Sequence, residues 1–386
     1  MLYELTQYIL KISAESSWKD PLSFLRLFSY ITVRSAGAMV TALLLSWWLG
    51  PRAIAWLKRL KFGQHYLDKA EEGGKIETRV VSKKGTPTMG GILIVAVMDV
   101  TALIWAQWST MVALTLISVL VLAGLGFYDD YAKITRQSNK GAAANIKLWV
   151  QGALGAFIAF YLCLDPHMAK LKLISEVMVP FVKSPVLAGT LGTVVGLVLA
   201  SVAIVGSSNA VNLTDGLDGL AIGCTLIVSA VFLVLTYLAG NSKAAGYLLV
   251  PYVPGAGELT VFCAAMIGAG LGFLWFNCHP AQVFMGDTGS LALGGALGII
   301  AVLIHQPLML VIAGGVFVVE ALSVIIQTTY FKYTKRRFGT GRRVFLMAPL
   351  HHHFEKKGWH ETQVVIRFYI LGILCAVVAL STLKIR

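Results

Sequence analysis

Residues 209–239 read NAVNLTDGLDGLAIGCTLIVSAVFLVLTYLA, and the change of character inside this stretch decides the fold class. Asn209, Asn212, Asp215 and Asp218 recur every third residue, which lines amides and carboxylates along one face of a helical or 3-10 segment. From Gly219 to Ala239 no charged residue follows. At about 1.5 Å per residue that run reaches across the ~30 Å hydrocarbon core of a bilayer. A polar stripe ending where a membrane-length run begins predicts a transmembrane helix with chemistry at its mouth. The bland alternative is a capped turn between two spans, with Asp218 as an N-cap.

Working outward, comparable apolar runs lie near 30–50, 89–107, 110–128, 148–164, 187–206, 260–278, 290–305, 308–331 and 364–383, which makes ten spans. The second and third are parted only by Gln107-Trp108-Ser109. The whole chain agrees: its 386 residues are 57% hydrophobic and 13% charged, with 38 glycines and 11 prolines. Its mean hydropathy is +0.74. Water-soluble, disordered and collagen-like classes are excluded by these values. Met1 to Arg26 mixes Glu4, Lys11, Glu15, Lys19 and Asp20 with apolar residues, so no cleaved signal peptide is expected. Cys163, Cys224, Cys263, Cys278 and Cys375 fall in or at the ends of apolar runs and read as packing residues.

The formal net charge of +13 would suggest nucleic acid in a soluble protein. Here the cations sit in blocks between spans, so they report orientation instead. Loop 51–88 carries Arg52, Lys58, Arg59, Lys61, Lys69, Lys75, Arg79, Lys83 and Lys84. Loop 332–363 carries Lys332, Lys335, Arg336, Arg337, Arg342, Arg343, Lys356 and Lys357. Both are expected to be cytoplasmic, with both termini periplasmic. The sequence therefore predicts an all-α, polytopic integral membrane helical bundle of about ten transmembrane helices, one domain over 1–386. An outward segment occupies 1–29, and cytoplasmic loops lie near 51–88, 129–147, 207–218, 279–289 and 332–363.

Every dense polar cluster then falls on one face. Lys83-Lys84-Gly85-Thr86-Pro87-Thr88-Met89-Gly90-Gly91 has the lysines, hydroxyls and glycines that a phosphate-binding loop requires, or else is a basic flank with helix-start chemistry. Asp129-Asp130-Tyr131-Ala132-Lys133 sets two acids at a membrane edge, which is costly without a cationic partner. Adjacent helical residues diverge by about 100°, so the two acids are expected to do different jobs. The third cluster is the stripe already quoted. In the fourth, Asn277-Cys278-His279-Pro280 precedes Phe284-Met285-Gly286-Asp287-Thr288-Gly289-Ser290, where a carboxylate could bind Mg²⁺ while helix-start amides face phosphate. The fifth, Pro349-Leu350-His351-His352-His353-Phe354-Glu355, suits hydrogen bonding to phosphate or a nucleotide better than zinc, because three consecutive imidazoles cannot easily chelate one ion. Asp99 and Glu320 lie inside apolar runs and call for an interhelical partner or a water cavity. Gln327 could border the site. Together the acids, lysines, histidines and Gly-rich turns point to phosphoryl transfer, and no Walker A sequence is present.

At these residues, over roughly 30–383, the chain resembles the phospho-N-acetylmuramoyl-pentapeptide transferases, a branch of the polyprenyl-phosphate N-acetylhexosamine-1-phosphate transferase superfamily. The motifs TPTMGG, DDxxK, NAVNLTDGLDGL, FMGDTGS and PLHHHFE carry the likeness jointly. The resemblance implies a ten-span bundle and Mg²⁺-dependent transfer of phospho-MurNAc-pentapeptide from UDP-MurNAc-pentapeptide to undecaprenyl phosphate, giving UMP and lipid I. It implies Asp287 as the Mg²⁺ ligand, Asp129 as the base that readies the lipid phosphate, and Asp130 beside them as a catalytic acid. It places Lys83, Thr88, Lys133, Lys147, Asn212, Asp215, Asp218, Asn277, Phe284, His352 and His353 in the substrate pocket, where His351 and Gln327 are expected as well.

Two other functions remain at this stage. A superfamily relative using UDP-GlcNAc would keep the metal centre and change the sugar pocket. A secondary transporter would place its binding groups near the bilayer midplane, whereas these clusters sit at one surface. The expected setting is the bacterial plasma membrane, multi-pass, with the site on the cytoplasmic face. The expected partners are the two substrates and the bilayer, with no nucleic acid; a homodimer is left open.

Overall fold

The structure of the protein, a computed structural model, describes residues 1–13, 22–60, 85–135, 141–383 and 385. The chain begins with α1 (Leu2–Ser13) and a 3-10 turn (Ser23–Ser29), then runs through α2 (Ile31–Arg59), α3 (Gly91–Trp105), α4 (Thr110–Thr135), α5 (Ala144–Leu164) and α6 (Gly189–Thr214). It continues through α7 (Leu220–Gly240), α8 (Gly257–Asn277), α9 (Gly286–Leu303), α10 (Gly315–Phe338), α11 (Leu350–Lys356) and α12 (Glu361–Ser381). Among the described residues nine helices are long and apolar enough to cross a membrane, all of these except α1, α3 and α11. The protein is a polytopic helical membrane protein.

The expected second span is α3, a helix of 15 residues and so about 22 Å long. It is short because the residues leading into it hydrogen-bond through their backbone to the segment before α9. The Phe284 N–H donates to the Pro87 carbonyl, and the Gly90 and Gly91 N–H groups donate to the Phe284 and Met285 carbonyls, all at 2.8 Å. With α3 included, ten helices traverse the bundle in alternating directions. The expected span at 308–331 is interrupted: a short helix, Pro307–Ala313, stops at Gly314 before α10 begins.

The most enclosed helices are α9 and α8, with 89% and 72% of their apolar windows inside the protein. The first packs mainly against α6 and α4, the second against α2 and α7. Glycine and alanine fill much of α9 (GDTGSLALGGALGIIAVL), which suits helices held together by close packing rather than by expulsion of water. The outer faces carry exposed residues such as Val198, Val202, Ile370 and Leu374, as lipid contact requires.

The two poles are chemically distinct. At one, Arg34 of α2 makes a bidentate pair with Glu258 of α8, at 2.6 and 2.7 Å, and Glu258 also accepts the Gln107 N–H at 2.7 Å. The pair is buried, so removing one partner would leave an unmatched charge and cost about 3–5 kcal/mol. Both chain ends lie at this pole: the Met1 ammonium reaches the Leu103 carbonyl, and Thr382 lies against Met309. The polar clusters gather at the other.

Candidate active site

The helices reach further into the polar pole than hydropathy alone indicates. Asp129, Asp130 and Lys133 are the last turns of α4, Lys147 is in the first turn of α5, Asn209 and Asn212 end α6, and Asp287 is the second residue of α9. Close backbone approach holds these ends together. A Cβ on Gly91 would come within 2.1 Å of the Gly289 nitrogen, and one on Gly126 within 2.3 Å of the Asp287 carbonyl oxygen, so α3 and α4 touch the first turn of α9 only because those positions have no side chain.

At the centre are three carboxylates and two ammonium groups. Lys133 Nζ lies 2.6 Å from Asp129 Oδ2, 3.1 Å from Asp287 Oδ1 and 3.9 Å from Asp130 Oδ1. Lys147 Nζ lies 2.8 Å from Asp129 Oδ1 and 2.6 Å from Asp287 Oδ2. The lysine side chains are 24% and 19% exposed, against 1% for Asp129 and Asp130 and 13% for Asp287. A soluble phosphate entering this centre meets the lysines and Asp287 first.

Asp130 differs from Asp129, as their helical divergence predicts. It accepts the Asp287 N–H at 3.1 Å, the Thr288 N–H at 3.0 Å and the Thr288 hydroxyl at 2.8 Å, so it caps the N-terminus of α9 from another helix. The Gly286 N–H turns to Asp215. The first-turn amides of α9 are expected to face phosphate; they are instead taken by the buried Asp130 and the half-buried Asp215, which need donors more than the solvated loop does. Asp215 is half-buried. The protein around its carboxyl, then the charges of Asp287, Asp130 and Asp218, push it up to about 8, against a pull from the Gly286 N–H. Asp129 accepts the Ala142 N–H at 2.7 Å. The Thr88 hydroxyl is buried beside this cap with no hydrogen-bond partner among the described residues.

Asn212 donates to Ser290 Oγ at 2.8 Å. Phe284 is half-buried in the pairing described above. Asn277 is buried, accepts the Gly219 N–H and donates to the Val283 carbonyl, so it ties two loops together. Asp218 accepts the Ala281 N–H at 3.1 Å and faces His279 Nδ1 at 3.2 Å, while its own N–H donates to Glu361. Gln327 receives the Val344 and Phe345 N–H groups and donates back to the Phe345 carbonyl, so its amide holds the basic loop.

The three histidines do not act alike. His351 is fully buried: its N–H donates to Glu320, its ring faces the other Glu320 oxygen at 3.2 Å, and it abuts Gly216. It lies beneath the site and supports the 215–219 loop. His352 pairs with Glu355 at 2.7 Å, and His353 Nδ1 accepts the Leu346 N–H at 3.1 Å. Desolvation and then Lys357 hold His353 below the usual imidazole range, which suits that acceptor role. Both are half-buried. Glu320 thus finds the partner its burial calls for. Both Asp99 oxygens are buried without a hydrogen bond among the described residues. Lys83 lies outside the described residues. His279 and Glu361 join Asp218 in a second group that could hold a cation; the fourth cluster contains His279, and no motif in the sequence singled out Glu361.

A multi-pass helical bundle with a carboxylate and lysine centre at one pole defines a membrane-embedded transferase acting on phosphates. The glycosyl transferase family 4 model matches residues 112–305, and a phospho-N-acetylmuramoyl-pentapeptide-transferase signature matches 83–95. Similar proteins bearing that transferase's name occur in Methylacidiphilum infernorum (48% identical, covering 95% of this chain and 97% of the relative) and Opitutus terrae (49%, 95% and 98%). Another, from Oleidesulfovibrio alaskensis, is 47% identical over the full length of both. The chain belongs to the phospho-N-acetylmuramoyl-pentapeptide-transferase family, and it is a phosphoglycosyl transferase.

Proposed function

We propose that the protein transfers phospho-MurNAc-pentapeptide from UDP-MurNAc-pentapeptide to undecaprenyl phosphate, releasing UMP and forming lipid I, with Mg²⁺ and at the cytoplasmic face of the bacterial plasma membrane. The observation that supports this best is Asp287, partly exposed and held between Lys133 and Lys147 at the pole that the basic 332–363 loop reaches. The donor chemistry fits magnesium: carboxylate oxygens of Asp129, Asp130 and Asp287 come within 4.8 Å of one another. Asp130 is occupied by the cap of α9 and Asp129 is kept as the base, so Asp287 would hold the ion, which leaves coordination positions for substrate phosphates. When bound, it would neutralise charge on the diphosphate.

The chain's own groups do the rest. Lys133 and Lys147 leave the carboxylates and turn to phosphate oxygens, and catalysis here is mostly positioning and neutralisation. That movement frees Asp129 to accept the proton of the lipid phosphate. Asp130 and Asp215 fix the turn that carries Asp287. The half-buried His352 and His353, with Asn212, Phe284 and Thr88, line the approach of the nucleotide sugar.

The test is UMP release by purified protein with undecaprenyl phosphate, Mg²⁺ and each UDP-sugar in turn. Turnover with UDP-MurNAc-pentapeptide is expected; equal or better turnover of UDP-GlcNAc would overturn the donor assignment. Orientation is checked at Cys278, which is exposed at the site pole. With the other four cysteines replaced by serine or alanine, an impermeant maleimide should label Cys278 in inverted vesicles and spare it in sealed cells.

A further inference from the structure

We infer that the groove between α11 and α12 is a binding site for a glycerophospholipid with an anionic headgroup, on the same side of the bilayer as the carboxylate and lysine centre. The groove is a recess of about 280 Å³ lined by Phe354, Trp359, Arg367, Phe368, Ile370 and Leu371. Trp359 stacks on Phe354 with ring centres 4.4 Å apart, and the Arg367 guanidinium lies 3.9 Å from the Trp359 ring centre. The walls are apolar: Phe368 is buried, while Ile366, Ile370, Leu371 and Leu374 are exposed along the same outer side of α12.

Arg367 is the anomaly. It is three residues past Val364, where the apolar run of α12 begins, and so about 5 Å into the span. It is exposed on a face otherwise made for lipid tails, and among the described residues its guanidinium has no carboxylate and no hydrogen-bond acceptor. A cation so placed needs an anion or a path to water. The guanidinium lies over the Trp359 ring, an aromatic face that offers its N–H groups no lone pair, and a phosphate oxygen would supply one. Lys356 and Lys357 are exposed at the end of α11, and Lys357 lies 5.9 Å from the Phe354 ring, so the rim of the groove is positive while its floor is apolar. A free phosphate would use the rim alone. A lipid uses both, with the headgroup on Arg367 and an acyl chain along Phe368, Ile370 and Leu371. The same short helix carries His352 and His353, so an occupied groove would brace the histidines from behind.

The test uses full-length protein in nanodiscs of mixed phosphatidylglycerol and phosphatidylethanolamine, released into the gas phase and weighed intact. The wild type is expected to keep one phosphatidylglycerol under conditions that strip phosphatidylethanolamine. Arg367→Gln should lower that occupancy about fivefold, the worth of one cation at a membrane surface, and Arg367→Lys should fall between. An unchanged melting temperature and elution profile establish that the variants are folded; Arg367 is exposed, and Arg367→Lys keeps the charge if Arg367→Gln is unstable. Equal retention by wild type and both variants, equal retention of the two lipids, or an adduct of undecaprenyl phosphate alone would overturn the inference.

Discussion

Asp130→Asn separates an acid that builds the site from one that reacts in it. Asp130 is 2% exposed, and its two oxygens receive two backbone N–H groups and one hydroxyl from the first turn of α9. Asparagine has the same shape but keeps a single acceptor, and its NH₂ would face a donor. Losing one buried hydrogen bond to a charged acceptor costs about 1.5–3 kcal/mol. Losing the negative charge at the helix start adds up to ~1 kcal/mol, and relief of repulsion from Asp129 and Asp287 returns part of it. The net loss is about 2–3 kcal/mol, which should lower the melting temperature of the detergent-solubilised protein by about 5 °C. Turnover should fall as well, because Asp287 rides on the loosened turn. Thr288→Val removes one of the same bonds, so the double variant should be less destabilised than the sum, with a coupling of about 1 kcal/mol. An unchanged melting temperature with lost UMP release would refute the capping argument and assign Asp130 to the substrate.

Two further outcomes follow from the packing and the charge of the same pole. Gly126→Ala drives a methyl into the Asp287 backbone and should cost about 1–3 kcal/mol together with most of the activity; wild-type behaviour in thermal melts and UMP release would show that the approach is not tight. Arg342 and Arg343 are exposed on the loop leading to the histidines, so neutralising both to Gln should raise the donor KM in low salt and less so at ~0.15 M, where screening acts over about 8 Å; a KM unchanged at both salts would remove their steering role.

The spans and their alternation were legible because hydropathy and loop charge act over many residues at once. Gathering the clusters at one pole needed only parity, and the contacts of Gly90 with Phe284, Asp130 with Thr288, Asn212 with Ser290 and His351 with Gly216 bear it out. What sequence could not supply was which partner each polar group would find. Asp130 and Asp287 look alike as membrane-edge acids; one caps a helix on another strand of the chain, the other remains partly open. His351 and His352 are neighbours, yet one helical step turns the first toward Glu320 and buries it. Arg34 and Glu258, more than two hundred residues apart, gave no local signal of their pairing. Hydropathy likewise could not separate α3 from a full span, because the residues that shorten it do so by pairing with the segment before α9.

The most direct test of the account is UMP release by Asp287→Asn with UDP-MurNAc-pentapeptide, undecaprenyl phosphate and Mg²⁺, on protein whose melting temperature is measured in the same detergent. The substitution keeps the shape and removes the anionic oxygens that Lys133 and Lys147 now hold. The account predicts a loss of at least ~100-fold in turnover, about 2.7 kcal/mol in the barrier, with little change in melting. Near-wild-type turnover with a clearly lowered melting temperature would contradict it and leave Asp287 as a structural residue.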